Sequence, residues 1–336
     1  MSADLAAIGF VGAGNFAHSL AELCARHPLI RISGCHDSNP TALAAFAQRF
    51  SCRAHHDFAS LCADPAISGV IVATPNDLHH HHAVALARAG KHVFVEKPIC
   101  LTLSDADRMI AACHDHHVVL AVGHQERRQR VYRTIKQKMS DGDFGVVHAF
   151  EANHCGNLLD HWPADDWRFD STRGSGPLLH KGIHKIDILN YLFGSAQSVA
   201  TVATPIPFNT EMHQTTVSVI SYASGAIGSL TSGFRYNNAS FNVYGEHQTV
   251  LYSGHGSRIR VKNEKTWEMT EHDCGTIDPI AEEIDEFALA MLGRGEIEVD
   301  GQVAREALLV ALTAHEAERH HRMMSVDELR QGAAVG

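Results

Sequence analysis

Short apolar runs alternate with stretches of helical period through the first third of the chain, whereas β-rich runs dominate afterwards. This change of texture predicts two domains, 1–124 and 125–336. The apolar runs predict strands near 6–11, 31–36, 69–73, 92–95 and 118–122. Between the first two, Phe16, Leu20, Leu23, Cys24 and His27 recur on one helix face, and Ala42, Phe46 and Arg49 follow the same spacing less strictly. Asn76 is placed to N-cap a helix carrying His79 to His82, and Gly90 ends that helix before the next strand begins at Lys91-His92. Strands alternating with crossover helices predict an α/β, doubly wound parallel sheet.

Beyond residue 125 the runs 146–150, 215–220, 227–231 and 241–244, with Ser224-Gly225 as a hairpin turn, predict a mostly antiparallel sheet. Gly176 to Phe193 reads as one helix. Two more follow near 279–292 and 302–321, the second with Leu308, Leu309 and Leu312 on one face. With neither repeats nor a low-complexity linker, the two domains are expected to share an extensive interface, the kind of crevice that ligands favour.

Composition narrows the function classes. A chain of 336 residues, 45% hydrophobic and 20% charged, is that of an ordinary globular protein. The formal net charge of -10 and the absence of a Lys/Arg block argue against nucleic-acid or membrane-surface partners. No apolar run approaches the roughly 20 residues that cross a bilayer, and no cleavable leader is evident, so a cytoplasmic location is expected. The 8 cysteines include no Cys-x-x-Cys pair, which predicts reduced, mostly buried thiols rather than a zinc or redox site.

The chemistry is concentrated at the ends of the predicted strands. Ile8-Gly9-Phe10-Val11 runs into Gly12-Ala13-Gly14-Asn15-Phe16-Ala17, a strand–turn–helix in which Gly12 permits the tight turn and Gly14 lets backbone approach a pyrophosphate at the helix N-terminus. Asp37, at the end of the second strand, is placed to accept hydrogen bonds from the adenosine ribose hydroxyls. It would repel a 2′-phosphate, and the following Ser38-Asn39 brings no arginine, so NAD is favoured over NADP. The loop Ala73-Thr74-Pro75-Asn76, followed by His79, lies on the same edge of the sheet. So does Glu96-Lys97-Pro98, which delivers a lysine to the carboxyl end of a buried strand.

Gly12-Ala13-Gly14, Thr74-Pro75-Asn76 with His79, Gly90-Lys91-His92-Val93 leading into Glu96-Lys97-Pro98, and the later Gly182-Ile183-His184 with Asp187 together resemble the glucose-fructose oxidoreductase/inositol dehydrogenase/rhizopine catabolism (Gfo/Idh/MocA) family. The resemblance implies an N-terminal Rossmann domain and a C-terminal α/β domain with a large open sheet. It also implies NAD(P)-dependent oxidation or reduction of one carbon of a sugar, cyclitol or related polyol, and assembly through that sheet as a homodimer or homotetramer. Lys97 is carried over as the residue near the nicotinamide and the reacting oxygen, with Glu96 positioning it. His184 is carried over as the second acid/base group, a role suited to an imidazole.

At position 180, where the family commonly has Asp, this chain has His180. A catalytic or substrate-binding role for His180 leaves the proton route altered, and a zinc site on His180 and His184 with His154 or Asp187 is a weaker alternative to no metal. Trp167-Arg168, before the glycine-rich Gly174-Ser175-Gly176, is expected to contact cofactor or substrate or to anchor a loop. Gln125 is expected on the nicotinamide side, and His154, Cys155 and Asn157 around the substrate. Two other functions stay open: a redox-neutral elimination, epimerisation or glycoside cleavage through a transient ketone, and a non-catalytic NAD-dependent sensor.

Overall fold

The computed structural model describes residues 5–158, 162–163, 165–170, 172–174, 176–205 and 212–333; Ser175 of the glycine-rich segment lies outside them. The chain divides into two compact units, the first made of residues 1–125 with Pro279–Arg305 and the second of Glu126–Asp278 with residues 306–336.

The first unit carries β1 (Ala6–Val11), α1 (Asn15–Arg26), β2 (Ile30–His36), α2 (Pro40–Phe50), β3 (Arg53–Ala54), α3 (Phe58–Ala63), β4 (Gly69–Val72), α4 (His79–Arg88), β5 (His92–Glu96), α5 (Leu103–Asp115) and β6 (Leu120–Gly123). The strands form one parallel sheet in the order β3-β2-β1-β4-β5-β6. Every residue of β1 and β4 is buried. Side chains on both faces of these strands point into apolar layers, which is why they read in sequence as unbroken apolar runs rather than alternating ones. Strand order reverses between β1 and β4, and ligands of such sheets bind outside the carboxyl ends at this switch point.

One local expectation differs. Asn76 does not cap the four-histidine helix: Asn76–Leu78 forms a 3₁₀ turn, and α4 begins at His79. Asn39, by contrast, caps α2 by accepting from the Thr41 and Ala42 amides.

The expected second domain is interrupted. Helix α8 (Pro279–Met291) packs in the first unit, where Ile284, Phe287 and Ala288 join the core with Phe10, Phe46 and Phe94. Phe287 meets Phe94 edge-on at 5.7 Å. The start of α9 (Gly301–Arg319) is held there too, by the Ala121–Asp300 bridge and by Arg305 donating to Asp107. An apolar helix face carries no record of which sheet it will cover, so sequence order alone assigned this segment differently.

In the second unit, α6 (Arg130–Ser140) precedes β7 (Val147–Cys155); α7 (Ile183–Phe193) precedes β8 (Ala196–Ala203), β9 (Thr215–Tyr222), β10 (Ile227–Gly233), β11 (Asn238–Gly245), β12 (Gln248–Tyr252), β13 (Arg258–Asn263) and β14 (Met269–Asp273). After the rest of α9 come β15 (Met324–Ser325) and α10 (Val326–Ala333). The sheet order is β14-β13-β12-β11-β7-β10-β9-β8-β15, antiparallel except for the parallel pair β7 and β10. One face of the central strands is buried through Phe150, Ile220, Tyr222, Leu230, Phe241 and Val243. The other exposes Val202, Val217, Val219 and Ile227, with Val202 directly opposite Val217.

The helix expected from 176 to 193 is not uniform. Leu178–Gly182 forms a π-helical turn that runs into α7. Gly182 sits where a Cβ would strike the Ser232 hydroxyl, so the missing side chain lets this turn lie close against β10. Widened turns of this kind recur at functional sites. No helix among the described residues is long and apolar enough to cross a membrane.

Candidate functional site

The carboxyl edge of the parallel sheet gathers most of the residues singled out from sequence. Gly12 has φ +95°, and a Cβ there would lie 2.6 Å from the Ala73 carbonyl oxygen, so β1 and the loop after β4 approach as closely as glycine allows. Gly14 precedes α1 with ordinary extended backbone and nothing within 4 Å of where its Cβ would be. Gly14, Asn15 and Phe16 are exposed and Ala17 is buried. The head of α1 therefore offers open backbone amides, the fit expected for a pyrophosphate.

Asp37 is tied into this turn. One carboxylate oxygen accepts from the Ala13 amide at 2.7 Å and the other from the Asn39 amide at 2.7 Å. Its charge is thereby held beside the open end of α1, with lone pairs left for hydroxyl donors. Ser38 next to it is exposed.

The loops after β4 and β5 are joined by one buried ring. His79 has Nδ1 2.9 Å from the Pro98 carbonyl and Nε2 3.0 Å from the Thr74 carbonyl. Burial pulls His79 below the usual imidazole range, against the pull of those two carbonyls. It holds Thr74-Pro75-Asn76 to Glu96-Lys97-Pro98 from behind and is a brace rather than a surface group. Asn76 is buried and Ala73, Thr74 and Pro75 are partly exposed.

Glu96 ends β5 opposite Gly123 of β6. Its carboxylate accepts from the Lys97 amide at 3.3 Å, and its Oε1 is buried without a hydrogen-bond partner among the described residues. Burial, partly offset by Lys97, pushes the Glu96 carboxyl up to about 7. The Gln125 side-chain oxygen is likewise buried without a partner among the described residues. Two orphaned polar atoms at the ends of neighbouring strands are what a polar ligand at this edge would satisfy. Lys97, partly exposed, follows directly after β5.

The second unit presents a separate cluster. His184, on the first turn of α7, is buried, and its ring centroid lies 5.6 Å from that of His154 at the end of β7. His180, on the π-helical turn, packs edge-on against Phe234 at 5.7 Å instead. His180 lies within the π-helical turn and His184 on the first turn of α7. Among the described residues no group of three or more His, Cys, Asp or Glu is arranged to hold a metal. Asp187 is committed elsewhere: both its oxygens accept from Arg127, at 2.7 and 2.5 Å, with both side chains buried. Cys155 is buried and Asn157 partly exposed just beyond β7.

Trp167 and Arg168 form a short 3₁₀ turn. The Arg168 guanidinium lies over the Trp162 and Trp167 rings at 3.8 and 4.6 Å and donates to Asp166 at 2.8 Å. These contacts tie Arg168 to its own loop neighbours.

Sequence reasoning missed the charged core beneath His154. Lys185 donates to Glu126 and to the Tyr132 hydroxyl, each at 2.7 Å, and Glu126 Oε1 lies 3.5 Å from His154 Nε2. Burial opposes ionisation of Glu126, but Lys185, His154 and His184 outweigh it and hold the carboxyl well below its usual range. Burial likewise opposes the charge on Lys185, yet Glu126 and Tyr132 raise it above the usual lysine range. The available signal was the run Glu126-Arg127-Arg128 placed immediately after a buried strand.

Comparison with known proteins gives concordant matches in both units. A family model described as an oxidoreductase family with an NAD-binding Rossmann fold matches residues 6–124, and a Gfo/Idh/MocA C-terminal domain model matches residues 132–251. Levoglucosan dehydrogenase of Pseudarthrobacter phenanthrenivorans is 30% identical over 251 residues, 66% of this chain and 62% of that protein. Myo-inositol 2-dehydrogenase of Thermotoga maritima is 27% identical over 297 residues, covering 82% of this chain and 85% of its own length. A levoglucosan dehydrogenase solved with NADH and levoglucosan superposes with a TM-score of 0.85 at 24% identity, covering 96% of this chain and 99% of that one.

Proposed function

Because the chain belongs to the Gfo/Idh/MocA family of oxidoreductases, we propose that it transfers a hydride between NAD and a secondary alcohol or ketone carbon of a sugar, cyclitol or related polyol. The observation that carries this reading is the placement of Lys97, directly after β5, on the same sheet edge as the open Gly12–Gly14 turn and the locked Asp37. NAD, when bound, supplies the hydride acceptor or donor. Every other task falls to the chain's own groups.

The amides at the head of α1 hold the pyrophosphate and Asp37 accepts from the ribose hydroxyls, with Ser38 and the Ala73–Asn76 loop beside them. The Asp37 charge disfavours a 2′-phosphate and so favours NAD over NADP. Glu96 and Gln125 offer their buried oxygens to the same ligand. Lys97 exchanges the proton of the reacting hydroxyl or, in the reverse direction, polarises the carbonyl. His184 is the second proton-exchanging group, with His154 beside it and His180 lining the substrate side. Trp167 and Arg168 shape that side or contact the cofactor.

Levoglucosan and inositol, named for the two relatives above, are an anhydro-sugar and a cyclitol; the substrate class proposed for this chain is therefore a ring bearing several vicinal hydroxyls. Self-association is assigned to the sheet face bearing Val202, Val217, Val219 and Ile227, covered by a second copy of the chain in a dimer or tetramer. All eight cysteines are free thiols, which supports a reducing, cytoplasmic setting. Incubation with NAD or NADP and a panel of sugars, anhydro-sugars, cyclitols and sugar acids, followed by nicotinamide absorbance, tests the reading. NADH accumulation with a polyol is expected. Conversion of a substrate without net NADH, or no dinucleotide binding at all, overturns it.

A further inference from the structure

We propose that Glu126 is a positioning residue whose fixed negative charge sets the protonation of the His154 and His184 pair, with Lys185 as the clamp that holds that charge in place. The inference rests on the functional reading above for the role of His184, and its geometry is independent of it. The helical segment 178–189 carries two histidines and two lysines but a single carboxylate, Asp187. Both Asp187 oxygens are bound to Arg127, so that charge is already neutralised. The carboxylate that does reach the imidazoles comes from outside the helix: Glu126 Oε1 is 3.5 Å from His154 Nε2, and the His154 and His184 ring centroids are 5.6 Å apart.

Glu126 is not free to swing away. Its Oε2 accepts from Lys185, whose ammonium also donates to the buried Tyr132 hydroxyl, and the Lys185 side chain is 4% exposed. Among the described residues, the groups facing this cluster include Lys181, His184 and Lys185 from the helical segment, His154 and Cys155 from β7, Tyr132 from α6 and Tyr252 from β12. Glu126 is a carboxylate held opposite Lys185, His154 and His184. A carboxylate within about 4–6 Å stabilises the imidazolium and raises its titration point by roughly 1–3 pH units. A buried cation at the same distance acts in the opposite sense, so the pair Glu126 and Lys185 tunes the histidines in opposite directions.

Histidine ring resonances of the full chain, assigned with His154→Gln and His184→Gln and followed across pH without cofactor or substrate, test this. Glu126→Gln should lower the titration midpoints of both rings by about one pH unit or more, and Glu126→Asp, which keeps the charge, should restore most of the shift. Lys185→Met removes both the clamp and the opposing cation and should move the midpoints, upward where Glu126 keeps its place and downward where it swings away. Unmoved midpoints in a folded Glu126→Gln protein overturn the inference; if that variant does not fold, midpoints that stay put in Lys185→Met do so. A purely structural role for Glu126 would alter thermal stability and leave the midpoints alone. Failure here leaves the NADH assay untouched, and absence of dinucleotide turnover leaves the titration result standing.

Discussion

Glu96 gives the sharpest test of the electrostatics at the cofactor edge. Its carboxyl is pushed from 4.5 up to about 7 because burial penalises the anion more than Lys97 favours it. A carboxyl raised in the folded state stabilises the fold fully below the unfolded pKa, and that contribution is lost as pH rises through the folded one. The window therefore runs from about 4.5 to about 7. At 1.36 kcal/mol per tenfold, the ionised group costs roughly 3 kcal/mol by about pH 8 and under about 1 kcal/mol at about pH 5.

Glu96→Gln keeps the shape and removes the ionisation. The variant should thus gain up to roughly 2–3 kcal/mol over wild type at about pH 8, and little at about pH 5. Hydrogen exchange at the amides of β5 and β6 is the suitable assay, since all three tryptophans, at 162, 167 and 267, lie in the other unit. Comparing variant with wild type at each pH cancels the intrinsic exchange rate. A difference that does not change with pH would refute the reasoning, because a packing effect is blind to ionisation.

Further outcomes follow from the same geometry. Gly14→Val should leave thermal unfolding of the free protein unchanged, since the position is open and its backbone ordinary, while abolishing the stabilisation that NADH gives; a melting series with and without NADH reads both. Asp37→Ser should shift the ratio of NAD to NADP affinity by about tenfold or more toward NADP, roughly 1.4 kcal/mol, measured by calorimetric titration of each dinucleotide. Asp187→Asn leaves Arg127 buried beside a neutral partner and should destabilise the second unit by about 3–5 kcal/mol, visible in denaturant unfolding by tryptophan fluorescence. Val217→Lys with Val219→Lys should lower the mass seen in sedimentation, because two ammonium groups would meet their own copies across a symmetric interface.

Much of this was legible along the chain. Strands β1 and β4 of the first unit stand out because burial on both faces demands apolar residues at every position, as in Val70, Ile71 and Val72. The Gly12 turn, Asp37 and Lys97 were legible for a related reason: they sit at strand ends, and strand ends in a parallel sheet share one edge by topology alone. The hairpin at Ser224-Gly225 was equally local, with β9 and β10 paired on either side of it.

Tertiary structure decided the remainder, where the determining partner is remote in sequence. Strand β14 is exposed at every residue and shows no apolar pattern; its pairing with β13 defines it. Helix α8 joined the first unit because Phe287 found Phe94, a choice no periodicity encodes. The π-helical turn ahead of α7 lies close against β10 because Gly182 has no side chain to strike Ser232, a contact remote in sequence. Glu126, Arg127 and Lys185 read as surface charges by type, yet each is buried or largely so because an opposite charge arrives from another element. Sequence by itself determines where a chain must be apolar and where it must turn; which charges can afford burial depends on partners that only the folded chain brings within hydrogen-bond reach.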